Sequence, residues 1–129
     1  MLPTEPYNET VREYFRSSEH AGDLGRDYPQ MLESTVAESR QGAQIVLAAG
    51  IEDGIIREMR FRVWGCPHLI AATAWLCAQL ESGPVAAAMK DFPLQEIMRQ
   101  LSVPVEKTGR ILLLEDALKS LGMQYSRTD

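Results

Sequence analysis

The chain has 129 residues, and 18 acidic against 13 basic side chains leave a formal net charge of −5. Its length fits one domain over residues 1–129, and 45% hydrophobic with 24% charged residues is a globular composition that excludes wholesale disorder. The acidic balance excludes a protein devoted to nucleic-acid phosphate, because backbone neutralisation needs a basic face.

In chain order, Met1 to Pro6 lack the basic and apolar regions of a secretory signal. Asn8 can cap a helix with Val11, Tyr14 and Phe15 at helical spacing, ending near Ser17–Ser18. Residues 19–30, with two glycines and a proline, predict a loop. Residues 31–38 predict an edge strand and 43–51 a second strand. Glu52-Asp53-Gly54 then supplies a turn into a hairpin partner at 55–64. Ile55, Met59, Phe61 and Val63 are expected on one face of that partner, and Glu58, Arg60 and Arg62 on the other. Arg57 interrupts the apolar face near the turn. Arg60 and Arg62 read as a solvated face rather than an anion site.

Gly65 ends the strand and Cys66-Pro67 opens a helix to about 81, apolar nearly all round and so buried. Its apolar run, Leu69 to Leu80, is too short to cross a bilayer, and no membrane partner is expected. Ser82-Gly83-Pro84 stops it, and an alanine-rich turn follows at 84–90. Phe92-Pro93 starts a helix with Leu94, Ile97, Met98 and Leu101 in phase. A connector at 102–108 leads to a last helix at about 110–121, with Ile111, Leu114, Leu118 and Leu121 as its stripe and Gly122 as its C-cap. The order predicts an α+β fold, a small antiparallel sheet of two to three strands packed against helices.

Cys66 carries the most chemical information. A helix N-terminus favours a thiolate, so it can be a reactive or metal-binding sulfur, or else a small apolar side chain packed at a corner. Cys77, inside the apolar helix, reads as buried filler. Two cysteines are too few for a disulfide scaffold, which leads us to expect a reducing, cytoplasmic setting. His68 is expected to face solvent in the first helical turn, where it could assist proton transfer at Cys66. The pair Cys66 and His68 could supply two ligands to zinc, short of the three or four a site needs. His20 carries no signal of its own. No P-loop, Gly-x-Ser-x-Gly or His-Glu-x-x-His motif anchors an enzymatic reaction, and the chain reads as a non-enzyme.

Residues 54–71, a hairpin strand ending in Gly65-Cys66 and running into an Ile70-Ala71 helix, resemble the diagnostic segment of the U-type iron–sulfur scaffolds, the IscU proteins and the NifU N-terminal domain. Tyr7 through Gly22 is similar to the family's opening helix and loop, and Leu112 through Lys119 to its final helix. The resemblance implies a SufE/NifU-like fold and a role in iron–sulfur cluster assembly. It also implies a ligand set of three cysteines, an aspartate and a histidine. Of these positions only Cys66 keeps its residue: the others fall on Gln41, Ala43, Gly109 and Arg110. One thiolate cannot hold a two-iron cluster, which needs four ligands. The family's chaperone-recognition segment falls on Val103–Lys107, where Pro104 and Lys107 match. If the family fold holds, Arg110 should approach Cys66 and stabilise a sulfur anion. Three readings follow. The chain is a degenerate scaffold of iron–sulfur assembly, or a SufE-like persulfide acceptor using Cys66, or an interaction protein on a scaffold fold. An iron–sulfur cluster or zinc enters as a possible cofactor and a cysteine desulfurase as a possible partner.

Overall fold

Chain order in the computed structural model, which describes residues 7–17, 19–40, 42–88 and 90–127, is helix, three strands, then helices. β2 (Ala43–Glu52) pairs antiparallel with β1 (Gln30–Glu38) on one side and with β3 (Ile55–Trp64) on the other. Asp53 and Gly54 both take positive φ, 55° and 73°, as a two-residue type I′ hairpin turn requires. The β2–β3 register slips after Gly50. Gly50 faces Glu58 but Ile51 faces Ile56, so Arg57 is the extra residue of a bulge. The bulge shifts the parity of the strand. Ile56, and not Ile55 as strict alternation predicts, joins Met59 and Phe61 in the core.

Two helices cover one face of this sheet: α2 (Pro67–Leu80) lies on β3, and α5 (Thr108–Arg127) lies on β1 and β2. Ile45, Leu47, Met59, Leu69, Leu76, Ile111, Leu114 and Leu121 meet there fully buried. α1 (Glu9–Arg16) packs on α2, which is why α2 can be apolar on nearly every side. Asn8 caps α1 by accepting from Val11 N–H at 2.8 Å. Its Nδ2 donates to the Gln100 carbonyl at 3.0 Å, tying α1 to the end of α4 (Leu94–Gln100). The short α3 (Val85–Ala88) and a 3-10 turn (Val105–Lys107) complete the connections.

α5 outruns the predicted helix at both ends, and Gly122 lies inside it rather than capping it. Gln124 ties the extended end to the sheet. Its Nε2 donates to the Glu33 carbonyl at 2.6 Å and its Oε1 accepts from Glu33 N–H at 3.4 Å. One side chain thus occupies both backbone groups on the open edge of β1.

The open edge of β3 is closed as well. Ile56 N–H donates to Gly83 O at 2.9 Å, Met59 N–H to Glu81 Oε2 at 2.8 Å, and Phe61 N–H to His20 O at 2.9 Å. The predicted loop at 19–30 is therefore a strap. It bridges Phe61 through Ala21, then crosses the outer face, where Gly25 N–H donates to both Glu58 oxygens at 3.0 and 2.9 Å. Arg60 binds Glu58 and Glu81, each at 2.9 Å, and Glu81 reaches a buried His20 at 3.1 Å. The expected solvated arginine face is corrected for Arg60, because the strap closes over it. Arg62 stays exposed and pairs with Asp23 at 3.1 Å. Among the described residues no helix is long and apolar enough to cross a membrane.

Candidate functional site at the strand–helix corner

Cys66 sits where β3 turns into α2. Gly65 makes that corner: a Cβ there would lie 2.9 Å from Leu69 Cδ2, so a side chain would force the helix away. Cys66 is the N-cap, extended at φ −79° and ψ 162°, and Pro67 takes the first helical position. The thiol is half-buried. Burial pushes its pKa up, but the Leu69 N–H, the Arg110 guanidinium acting as a donor, and the charge of Lys107 pull it down and prevail. Cys66 therefore titrates below an ordinary thiol. Cys77 behaves oppositely: burial first, then the Glu81 charge, push it up to about 12, and it is inert at neutral pH.

His68 corrects the expectation of a solvent-facing residue. It is 1% exposed, because α1 packs on α2 and Tyr7 lies against the ring. The Tyr7 ring meets it edge-on with centroids 4.7 Å apart. Burial first, then Lys107 and Arg110, push its pKa down to about 4, so the ring is neutral at neutral pH. Lys107 Nζ lies 3.3 Å from its Nδ1. An ammonium only donates, so Nδ1 accepts and Nε2 holds the ring proton. That Nε2 is buried without a hydrogen-bond partner.

Of the positions aligned with family ligands, Ala43 is buried at the start of β2, its Cβ 3.8 Å from where a Gly65 Cβ would stand. Gly109 is exposed in the first turn of α5, with Arg110 beside it, and Gln41 lies outside the described residues. The corner thus gathers Ala43, Gly65, Cys66, His68, Lys107 and Arg110. Among the described residues no group of three or more His, Cys, Asp or Glu could hold a metal ion. Among the described residues Cys66 and His68 gain no third donor, and one ring nitrogen of His68 already faces an ammonium. These residues fit neither a zinc ion nor a cluster held by one chain. Sequence reasoning missed the chemical part of Lys107. Its position three residues before Arg110, at the entry to a helix, is the spacing that could have paired the two cations.

The family model described as NifU-like N terminal domain matches residues 6–129. The chain belongs to the NifU-like N-terminal domain family. This NifU-like chain is 27% identical over 119 residues to the iron-sulfur cluster assembly protein IscU of Plasmodium falciparum, covering 92% of its own length and 73% of the relative's. It is 27% identical over 127 residues to iron sulfur cluster assembly protein 1, mitochondrial, of Debaryomyces hansenii, covering 96% and 70%. The fold matches the crystal structure of a NifU-like protein (N-terminal) from Brucella abortus with a TM-score of 0.73 at 16% identity, over 95% of both chains. The cytoplasmic expectation is overturned here, since the Debaryomyces relative and three further fungal relatives are named as mitochondrial. The low cysteine count does not single out the cytosol, since other compartments are reducing as well.

Proposed function

We propose that this NifU-like chain serves iron–sulfur cluster assembly without being an enzyme, and that its working group is the sulfur of Cys66. The observation that carries this reading is the corner itself. A single half-buried thiol is drawn toward its anion by Arg110 and Lys107, with no set of donors for iron around it among the described residues. The family and the names of its relatives favour a role in iron–sulfur assembly over an interaction protein on the same fold; the persulfide step itself, which is what a SufE-type acceptor performs, rests on the corner alone.

In this role the chain relays sulfur rather than holding a cluster alone, and iron belongs to the cargo. The Cys66 thiolate attacks the terminal sulfur of a persulfide carried by a cysteine desulfurase. The donor's S–S bond breaks, the donor cysteine leaves as a thiolate, and a Cys66 persulfide forms with no net oxidation. Arg110 and Lys107 stabilise the sulfur anion before and after the transfer.

Anaerobic incubation with a cysteine desulfurase and cysteine, followed by mass spectrometry, tests this. The expected result is one added sulfur atom on Cys66 and none on a Cys66→Ser variant. Reconstitution with iron and sulfide tests the other half: a stoichiometric two-iron cluster on each single chain overturns it.

A further inference from the structure

The Cys66 corner holds more positive charge than one thiolate neutralises. Arg26, Arg57, Arg60, Arg62, Arg99 and Lys119 each meet a carboxylate. Among the described residues Lys107 and Arg110 form no such pair, and neither do Arg12, Arg16, Arg40 and Lys90, but only Lys107 and Arg110 bear on Cys66. Arg110 favours the Cys66 anion as a donor and by its charge. Lys107 is anchored elsewhere, and anchored twice. Its ammonium lies 3.3 Å from His68 Nδ1 and 5.6 Å from the centroid of the Tyr7 ring, which itself packs edge-on against His68.

A lysine on a flexible four-carbon stem does not keep one position unaided. His68, at 1% exposure, has a position set by packing. Among the described residues its one hydrogen bond is the one to Lys107, and its other nitrogen is buried with no partner. A histidine that merely filled this space would be better replaced by leucine, which buries no unpartnered polar group. We propose that His68 is a positioning residue whose Nδ1, together with the Tyr7 ring, holds the Lys107 ammonium within electrostatic reach of Cys66. The inference rests on the reading of Cys66 as the working sulfur, and it adds a preference: the corner receives anionic reaction partners faster than neutral ones.

The test compares the rates at which Cys66 reacts with the dithiobis-nitrobenzoate dianion and with neutral iodoacetamide. The ratio of the two rates reads local charge and is insensitive to a general loosening that speeds both. Lys107→Met is expected to lower the ratio at low salt by roughly threefold or more. His68→Leu is expected to lower it as far. His68→Asn, whose Oδ1 stands near the place of Nδ1 and can accept from Lys107, should restore it. The double variant H68L/K107M should fall no lower than K107M. A wild-type ratio in folded H68L, or two independent losses adding in the double variant, overturns the proposal. Should H68L not fold, Tyr7→Leu carries the same comparison, and an unchanged ratio there overturns it equally. Sulfur uptake is read separately by mass. A wild type that takes no sulfur yet shows the charge-dependent ratio sinks the parent reading and leaves the anchoring of Lys107 standing, whereas normal uptake with an unchanged ratio in H68L sinks the anchoring alone.

Discussion

The Tyr28 ring occupies the space where a Cβ of residue 50 would stand. Gly50 lies inside β2, where glycine ordinarily weakens a strand, and its missing side chain is what admits the ring. Arg26 stacks 4.0 Å over the ring of Tyr28, so the strap is laid on the sheet through these two side chains. Gly50→Ala should displace Tyr28 and cost about 2 kcal/mol, the usual scale of overpacking. Denaturant unfolding checks this. The same substitution in a Tyr28→Ala background should cost much less, and equal losses in both backgrounds would show that the ring is not what the new methyl meets.

Under the strap, Glu58 accepts from Gly25 N–H, from Tyr28 Oη at 2.7 Å and from Arg60. Burial pushes its pKa up, but the Tyr28 and Gly25 hydrogen bonds, with Arg60 and Arg26 nearby, overcome that and hold it below the usual carboxylate range. A carboxylate depressed in the fold contributes stability that is present above its unfolded pKa and is lost as pH falls through the folded one. The wild type should therefore lose stability on acidification below the ordinary carboxylate range. Glu58→Gln should flatten that part of the profile and cost about 3 kcal/mol at neutral pH by leaving Arg60 underpaired. Thermal unfolding across pH measures both, and parallel profiles for wild type and variant would refute the assignment.

How much of this could be read beforehand depended on whether the cause was local. The cap at Asn8, the turn at Asp53-Gly54 and the corner at Gly65-Cys66-Pro67 are written in adjacent residues, and the structure places all of them where the spacing predicts. The burial of Ile56 was hidden because a bulge is decided by pairing with Gly50, not by the strand's own alternation. His20 and His68 looked uninformative or exposed because their burial comes from segments far off in sequence, Glu81 in one case and Tyr7 with Lys107 in the other. At the site, Cys66 was legible from helix-end chemistry, whereas its two cationic neighbours arrive from the 3-10 turn and the start of α5, a tertiary contact that required a family alignment even to suspect for Arg110.

The chemistry at Cys66 has a pH signature. Its thiol titrates below the ordinary value because, against its burial, the Leu69 N–H, Arg110 and Lys107 favour the anion. The rate of alkylation by a neutral reagent should rise with pH to a plateau reached earlier than for a free cysteine. Arg110→Met should move the midpoint upward, because the strongest side-chain contribution to the anion is gone. A midpoint unmoved in the variant would mean that the guanidinium does not act on the sulfur. Cys77, buried and pushed up to about 12, should contribute nothing to the rate in this range.

The last turns of α5 are tied to the edge of β1 by Gln124. Gln124 holds both backbone groups of Glu33, and the helix passes through Gly122 to reach it, although glycine costs a helix interior about 1 kcal/mol relative to alanine. Gln124→Ala removes the tie and leaves the edge of β1 open. Amide exchange in residues 122–127 and at Glu33 should then accelerate together, while exchange in the buried stretch from Ile111 to Leu118 stays unchanged, since that part is held by the core. Acceleration confined to the helix end, with Glu33 still protected, would mean that β1 does not depend on Gln124 and that the extension has another cause. Gly122→Ala offers the opposite perturbation. It should slow exchange over the same residues by raising helix propensity where the chain is weakest.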